Sequence, residues 1–175
     1  MPNRATDLAL KVGGCLYSSI AMSAAVTNTT TETTMDSVSV GADQLRPGDI
    51  LRIVAQGIAT ATNSTDTLPI KIKIGSTVLC ATAAVDVADN DVWVMQTHGT
   101  IRTGGASGTL VAAGHQSLGV EGTATARADI LASTAVDTTG ALTVAVTATW
   151  SVANAGNSCR NDTFYVEILR PSSFS

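Results

Sequence analysis

Aromatic and charged side chains are both scarce in this chain of 175 residues. Aromatic residues make up 3 % of it and charged residues 14 %, whereas an average soluble domain is about 25 % charged. The complete aromatic set is Tyr17, Trp93, Trp150, Phe164, Tyr165 and Phe174. So few rings argue against a function that depends on stacking sugars or bases.

Long apolar runs and an excess of positive charge are also missing. No run of about 18 apolar residues occurs, so no membrane-spanning helix is predicted. Lys11 and the Gly13-Gly14 pair interrupt the only candidate for a signal-peptide core. Ten Lys and Arg against 14 Asp and Glu give a net charge of -4, which provides no basic surface for a polyphosphate backbone. We therefore expect neither a membrane nor a nucleic acid as a partner.

Cysteine is rare, and its positions exclude a disulfide scaffold. Cys15, Cys80 and Cys159 lie far apart and form no CxxC or Cys/His ligand spacing. We expect all three to be reduced and to pack as small hydrophobic residues, as in a protein made in the cytoplasm.

Residues that could carry catalysis are equally sparse. His98 and His115 have no metal-ligand spacing to another residue, and we expect a lone histidine on a strand to be partly buried and hydrogen-bonded. Residues 105–108 (GASG) come nearest to a nucleophile elbow, but their spacing predicts a turn. No catalytic, cofactor-binding or metal-binding residue is assigned, so we predict a protein that is not an enzyme and needs no cofactor.

The only cluster of carboxylates is Asp86, Asp89 and Asp91. Oxygen ligands on a flexible loop can hold Ca²⁺ weakly, which leaves a calcium site as an alternative. The spacing and terminal Glu of an EF-hand are absent, and Asp is a common residue in hairpin loops. The cluster therefore favours an ordinary loop.

The abundant residues are small or β-branched, which is typical of sheets. Leu68, Ile70, Ile72 and Ile74 alternate with polar residues, and a similar period of two runs from Leu142 to Val152. Gly75-Ser76 between two such runs predicts a type II′ hairpin turn. Strands are predicted over residues 50–56, 68–74, 77–83, 92–102, 109–115, 120–132, 142–152 and 164–168.

These short strands with turn signals between them predict an all-β fold, an antiparallel β-sandwich of the jelly-roll type. Residues 1–34 are predicted to form an extended N-terminal arm with a polar hinge, and residues 35–175 the sandwich domain. The alternative is that the arm provides a first strand of the same domain. The residues of the arm that look buried are Leu8, Leu10, Val12, Leu16, Tyr17 and Ile20.

Four segments resemble structural proteins of tailed bacteriophages. They are residues 46–53 (RPGDILRI), 62–75 (TNSTDTLPIKIKIG), 84–91 (AVDVADND) and 150–159 (WSVANAGNSC). They are similar to a β-sandwich module of capsid decoration (cement) proteins and tail fibres. The resemblance implies a trimeric jelly roll, a location in the virion and no catalytic set.

The resemblance and the composition together lead to one main hypothesis. We expect a non-enzymatic capsid decoration protein that binds the major capsid protein as a homotrimer and reinforces the shell. A low charge and large neutral surfaces suit a chain that packs against copies of itself. The alternative is a tail-fibre or receptor-binding module that recognises host surface glycan, although Trp93 and Trp150 lie in predicted strands and favour the core.

Overall fold

The computed structural model describes residues 13–63, 65–119 and 125–171, and for residues 125–127 it describes the backbone only. Every regular element within these ranges is a β-strand. The strands are β1 (Gly14–Ser18), β2 (Val26–Thr27), β3 (Thr33–Val40), β4 (Ile50–Thr60), β5 (Ile70–Ile74), β6 (Thr77–Ala81), β7 (Asp91–Thr103), β8 (Thr109–Gly119), β9 (Thr125–Ala135), β10 (Leu142–Ala148) and β11 (Ser158–Leu169). Within these ranges, no helix is long and apolar enough to cross a bilayer.

The strands form two antiparallel sheets that pack as a sandwich. The larger sheet has seven strands in the order β1-β11-β4-β7-β8-β9, with β2 also paired to β11, and the smaller has four in the order β3-β10-β5-β6. The predicted all-β antiparallel sandwich is therefore confirmed. The division into seven and four strands differs from the eight strands of a jelly roll. The prediction of a jelly roll is therefore not confirmed.

The two sheets meet with their edges roughly aligned. Strand β6 contacts β7, β8 and β9, whereas β3 and β10 contact β11. One side of the sandwich therefore ends in the edge strands β6 and β9. The other side ends in β3, with β1 and β2 placed one after the other along β11.

The hairpin predicted at Gly75-Ser76 is present. Ile74 pairs with Thr77 across it, and Gly75 has a φ of 56°, which a type II′ turn requires at its first central position. The two-residue turn sets the pairing of Ile74 with Thr77 and of Lys73 with Val78, and the register shifts by one residue before Ile72 pairs with Cys80.

The N-terminal region is part of the sandwich wherever it is described. Strands β1 and β2 pair with β11, and the predicted boundary at residue 34 falls inside β3. Leu16 is buried, but Ile20 is fully exposed, contrary to expectation. The structure thus shows the alternative for these residues, a first strand of the same domain. Residues 1–12, with Leu8, Leu10 and Val12, lie outside the described residues.

The core lies between the sheets and contains both tryptophans. Trp93, Trp150 and Phe164 are almost completely buried, which confirms the predicted core role of Trp93 and Trp150. Trp150 Nε1 donates to the Val26 carbonyl oxygen at 3.0 Å and so holds β2 against the end of β10. Gly57 pairs with Trp93, and a Cβ atom at Gly57 would collide with the indole ring and with the backbone of β11.

Strand β10 differs from the half-buried strand that its alternation predicts. Ala145 and Thr147, on its outer face, are almost as buried as the core residues. Their pairing partners on the adjacent strand β5 are Lys73 and Lys71. The ammonium groups of both lysines bind Glu32. The long lysine stems therefore cover the small side chains of β10, because a lysine can lie along apolar surface while its charge stays in water.

A buried ion pair joins the end of β11 to the turn before β4. Arg170 donates to both carboxylate oxygens of Asp49, at 2.8 and 2.6 Å, and to the Gln44 carbonyl oxygen at 2.8 Å. The Asp49 side chain is 0 % exposed and that of Arg170 6 %. The carboxylate raises the pKa of Arg170, so the guanidinium stays charged. This pair holds the last strand to the turn at residues 46–49.

Removing one partner of this pair should destabilise the protein strongly. Arg170→Met leaves the Asp49 carboxylate buried without a counter-charge, and we expect a loss of about 3–5 kcal/mol in the free energy of unfolding. Urea denaturation followed by tryptophan fluorescence measures this loss. As the control, Arg52→Met removes a partly exposed ion pair with Glu167 and should cost at most about 1 kcal/mol. Equal losses in the two variants would show that the buried pair has no special role.

Candidate functional site

The two histidines do not contribute to a buried site. His98 and His115 are both exposed, on the neighbouring strands β7 and β8. The expectation of partly buried histidines is wrong, because the opposite faces of these strands carry the core residues Trp93 and Leu118, and alternate side chains point outwards.

Two of the three carboxylates in residues 86–91 accept hydrogen bonds within the protein. Asp91 is buried, and its Oδ2 accepts a hydrogen bond from the Ala88 amide at 2.8 Å. Asp89 accepts one from the Thr60 hydroxyl at 3.4 Å. Within residues 13–63, 65–119 and 125–171, no group of three or more His, Cys, Asp and Glu side chains lies close enough together to hold a metal ion. These contacts favour the hairpin-loop interpretation of Asp86, Asp89 and Asp91.

The three cysteines form no disulfide and lie in two kinds of environment. Cys80 and Cys159 are buried, as predicted, whereas Cys15 is exposed on β1, contrary to prediction. Burial raises the pKa of Cys159 to about 12, because a thiolate there would lose its hydration. The two buried cysteines therefore act as packing residues.

A groove of about 200 Å³ opens between the edge strands β6 and β9. Its lining includes the apolar side chains of Val78, Leu79, Ile130 and Leu131. Ile130 stands at the rim with 86 % of its surface exposed. This is the most exposed large apolar side chain on any described strand.

Polar contacts below the groove join the two sheets. Asp129 on β9 accepts hydrogen bonds from the Ala81 amide of β6 and from Gln116 Nε2, both at 3.0 Å. Gln116 also donates to the Ala81 carbonyl oxygen at 2.8 Å. The carboxylate of Asp129 thus lines the groove and is hydrogen-bonded within the protein.

The second exposed apolar feature is the tip of the loop between β1 and β2, residues 20–22, which we call the apolar tip. Ile20 is 102 % exposed and Met22 60 %, and Ala21 between them is exposed as well. No charged residue occurs in the whole stretch 19–25 (SIAMSAA). Large apolar side chains with this exposure are typical of protein contact sites.

Two serines hold the apolar tip at both of its ends. Ser19 exchanges two hydrogen bonds with Phe164 of β11, its amide donating at 2.8 Å and its hydroxyl accepting at 2.9 Å. Ser23 makes the same pair with Asn161, at 2.8 and 2.9 Å. Between these residues β11 has a bulge. The three residues of the tip are therefore presented on a fixed base.

A cluster of three charged side chains lies on the outer face of the smaller sheet. Glu32 accepts hydrogen bonds from Lys71 at 2.8 Å, Lys73 at 2.6 Å and the Thr147 hydroxyl at 3.1 Å. The two ammonium groups lower the pKa of Glu32 to about 2. This cluster is structural, because its opposite charges pair with one another and its lysine stems cover β10.

Comparison with protein-family models and with curated proteins finds no match to this chain. The candidate site is therefore defined by the structure alone, as the apolar tip and the groove. Sequence reasoning assigned no site residue and missed both features. The uncharged stretch 19–25 was a usable signal for the tip, but the groove joins residues about 50 positions apart and had no local signal.

The exposure of the thiols predicts their order of modification. In the native protein, iodoacetamide should label Cys15 quickly, while Cys80 and Cys159 should react only after denaturation, since the reagent needs an accessible thiolate. Mass spectrometry of proteolytic peptides measures the labelling at each position. Equal labelling of Cys15 and Cys159 before denaturation would contradict the burial of Cys159, and a Cys15→Ser variant provides the unlabelled control.

The lowered pKa of Glu32 predicts a pH-dependent contribution to stability. A carboxyl group with a pKa near 4.5 in the unfolded chain and about 2 in the folded protein stabilises the fold above pH 4.5 and loses this effect as the pH falls towards 2. The difference in unfolding free energy between wild type and Glu32→Gln should therefore be constant near neutral pH and shrink between pH 4.5 and 2. Urea denaturation at several pH values measures it. A Lys71→Gln, Lys73→Gln variant should weaken the same pH dependence.

Proposed function

We propose that this chain is a non-enzymatic structural protein of a bacteriophage virion, a capsid decoration (cement) protein that binds the outer shell as a homotrimer and stabilises it. The observation that carries the proposal is a pair of exposed, mainly apolar surfaces on an all-β body, the apolar tip and the groove. Such surfaces favour binding to other protein subunits.

The proposed mode of action is binding alone. A shell under internal pressure from packaged DNA is stabilised by any subunit that binds its assembled form more tightly than its separated parts. The antiparallel sandwich suits this role, because its strands are tied to one another along the whole chain, from β1 on β11 to the Asp49–Arg170 pair. Force applied at one contact is thus shared by many hydrogen bonds.

The proposal assigns attachment to the major capsid protein to residues 1–12. Residues 14–18 and 26–27 pair with β11, so these parts of the predicted 34-residue arm are not available to reach a neighbouring protein. Leu8, Leu10 and Val12 alternate within it, a pattern that suits an added strand on a partner.

The alternative, a tail-fibre module that recognises host glycan, has less support. Trp93 and Trp150 are buried and unavailable as a sugar platform. Tyr17 donates to Asp36 at 3.0 Å and packs on Phe164, and Tyr165 lies against Arg52. Every aromatic ring in the described residues is thus engaged within the protein.

Truncation of the N-terminal segment tests the proposed function. We expect the full chain to be a trimer by light scattering and to co-sediment with capsids of a tailed bacteriophage that carries its gene. A variant without residues 2–12 should remain a trimer but lose capsid binding. As a control, Val152→Ser, which changes an exposed apolar residue elsewhere, should bind like the wild type.

Each result bears on a different part of the proposal. Capsid binding by the truncated variant would overturn the role of residues 1–12. Failure of the full chain to co-sediment would overturn the decoration function. Binding to a glycan array, with no binding to capsids, would favour the tail-fibre alternative.

A further inference from the structure

We propose that His98 and His115 form a metal site on the outer face of the larger sheet, which takes one divalent cation of borderline softness such as Zn²⁺. The inference goes beyond the proposed function, which gives neither histidine a role. It uses both of the histidines in the chain, which are distant in sequence and are brought together by the pairing of β7 with β8.

The register of β7 and β8 places the two histidines on one face as diagonal neighbours. His98 pairs with Ala113, and His115 pairs with Gln96, so the histidines occupy adjacent rows of the same ladder. Both are exposed, whereas Thr97, between the two rows, is buried. Since alternate side chains of a strand point to opposite faces, both imidazoles extend from the outer face of the sheet.

Backbone hydrogen bonds show that this diagonal is the short one. The Ile101 amide donates to the Asp49 carbonyl oxygen at 2.9 Å, and the Ile101 carbonyl accepts from the Gly48 amide at 2.8 Å, so both groups point towards β4. These groups change sides from one residue to the next, and those of His98 therefore point towards β8. At such hydrogen-bonded pairs, the twist of the strands tilts a side chain towards the residue two positions beyond its partner, which here is His115.

The resulting separation suits two imidazoles on one ion. Diagonal neighbours in an antiparallel pair lie about 7–8 Å apart, with their Cβ atoms somewhat closer, and long or aromatic side chains can bridge this distance. A histidine nitrogen binds Zn²⁺ at about 2.0–2.1 Å. The rings of His98 and His115 can therefore incline towards one cation between them without a change in the backbone.

The surroundings of the pair leave it accessible to a cation. Arg52 lies opposite His98 on β4, but its guanidinium contacts Glu167 at 3.4 Å and the ring of Tyr165, both of which belong to β11. Its charge is therefore paired and directed away from β8. Within the described residues, neither imidazole forms a hydrogen bond or an ion pair. The other residues paired with the two histidines are uncharged: Ala113, Gln96 and Ala128.

The donor set selects the class of metal. Imidazole nitrogen suits Zn²⁺, Ni²⁺ and Cu²⁺, whereas Ca²⁺ and Mg²⁺ require oxygen ligands, and no carboxylate is paired with either histidine. Two protein ligands leave two positions of a tetrahedral Zn²⁺ for water or for a donor from another molecule. The site is therefore an open one on the surface, unlike a closed structural zinc site.

Titration with Zn²⁺ alone tests the site. Protein without an affinity tag and with Cys15→Ser is used throughout, because the exposed thiol of Cys15 is itself a possible zinc ligand. Isothermal titration calorimetry at neutral pH measures affinity and stoichiometry. Nuclear magnetic resonance of the imidazole rings follows each histidine, and since the chain has two histidines, the variants His98→Ala and His115→Ala assign both sets of signals.

We expect one Zn²⁺ per chain, with the ring signals of both histidines changing together. Each single variant should bind Zn²⁺ at least about tenfold more weakly, because the second imidazole then no longer acts at high effective concentration. The matched control is Asp89→Asn, which removes an exposed carboxylate from the loop at residues 86–91 and should bind like the parent. Circular dichroism confirms folding, and His98→Gln or His115→Gln replaces an alanine variant that does not fold.

Four outcomes would overturn the inference. They are the absence of Zn²⁺ binding, an unchanged affinity in either histidine variant, ring signals that respond at different Zn²⁺ concentrations, and a loss of affinity in Asp89→Asn that equals the loss in the histidine variants. The last result would assign the ion to the loop. None of these measurements involves capsids, so the outcome is separate from the test of the proposed function.

Discussion

Strand β11 can lie inside the larger sheet only if the hydrogen-bonding groups along both of its edges find partners, since an unpaired buried backbone group is costly. Strand β4 pairs with one edge along its whole length. The other edge pairs with two short strands, β1 and β2. Between them, the hydroxyls of Ser19 and Ser23 accept hydrogen bonds from backbone amides of β11. Strand β11 therefore positions the apolar tip, strands β1 and β2, and Arg170, which follows β11 directly.

The few charged residues are placed where they hold the fold together. Asp49 and Arg170 form a buried pair at the end of β11, and Glu32 joins Lys71 and Lys73 over β10. Only 14 % of the residues in the chain are charged, so much of its surface is neutral. A neutral surface suits association with like copies, which otherwise carry charge of the same sign. The scarcity of charge in the sequence thus agrees with a function based on packing between subunits.

Local patterns predicted those parts of the fold in which neighbours along the chain decide the structure. The alternation from Leu68 to Ile74 and the glycine at residue 75 located a hairpin, because a two-residue turn with glycine at its first central position joins adjacent antiparallel strands. Predictions that needed knowledge of distant strands were less successful. His98 and Cys15 proved exposed, and Ala145 proved buried under lysine stems from β5.

The sequence by itself determined the fold class and the absence of a recognisable catalytic motif, since both follow from residue type and short-range spacing. Only the tertiary structure decided that residues 14–18 belong to the sandwich, that Arg170 neutralises Asp49, and that Val78 and Ile130 line one groove. Residues 49 and 170 meet because β11 returns to pair with β4. Residues 78 and 130 meet because two separate sheets align their edges. Such contacts result from burying one sheet against the other, and no local pattern specifies which distant residues that burial brings together.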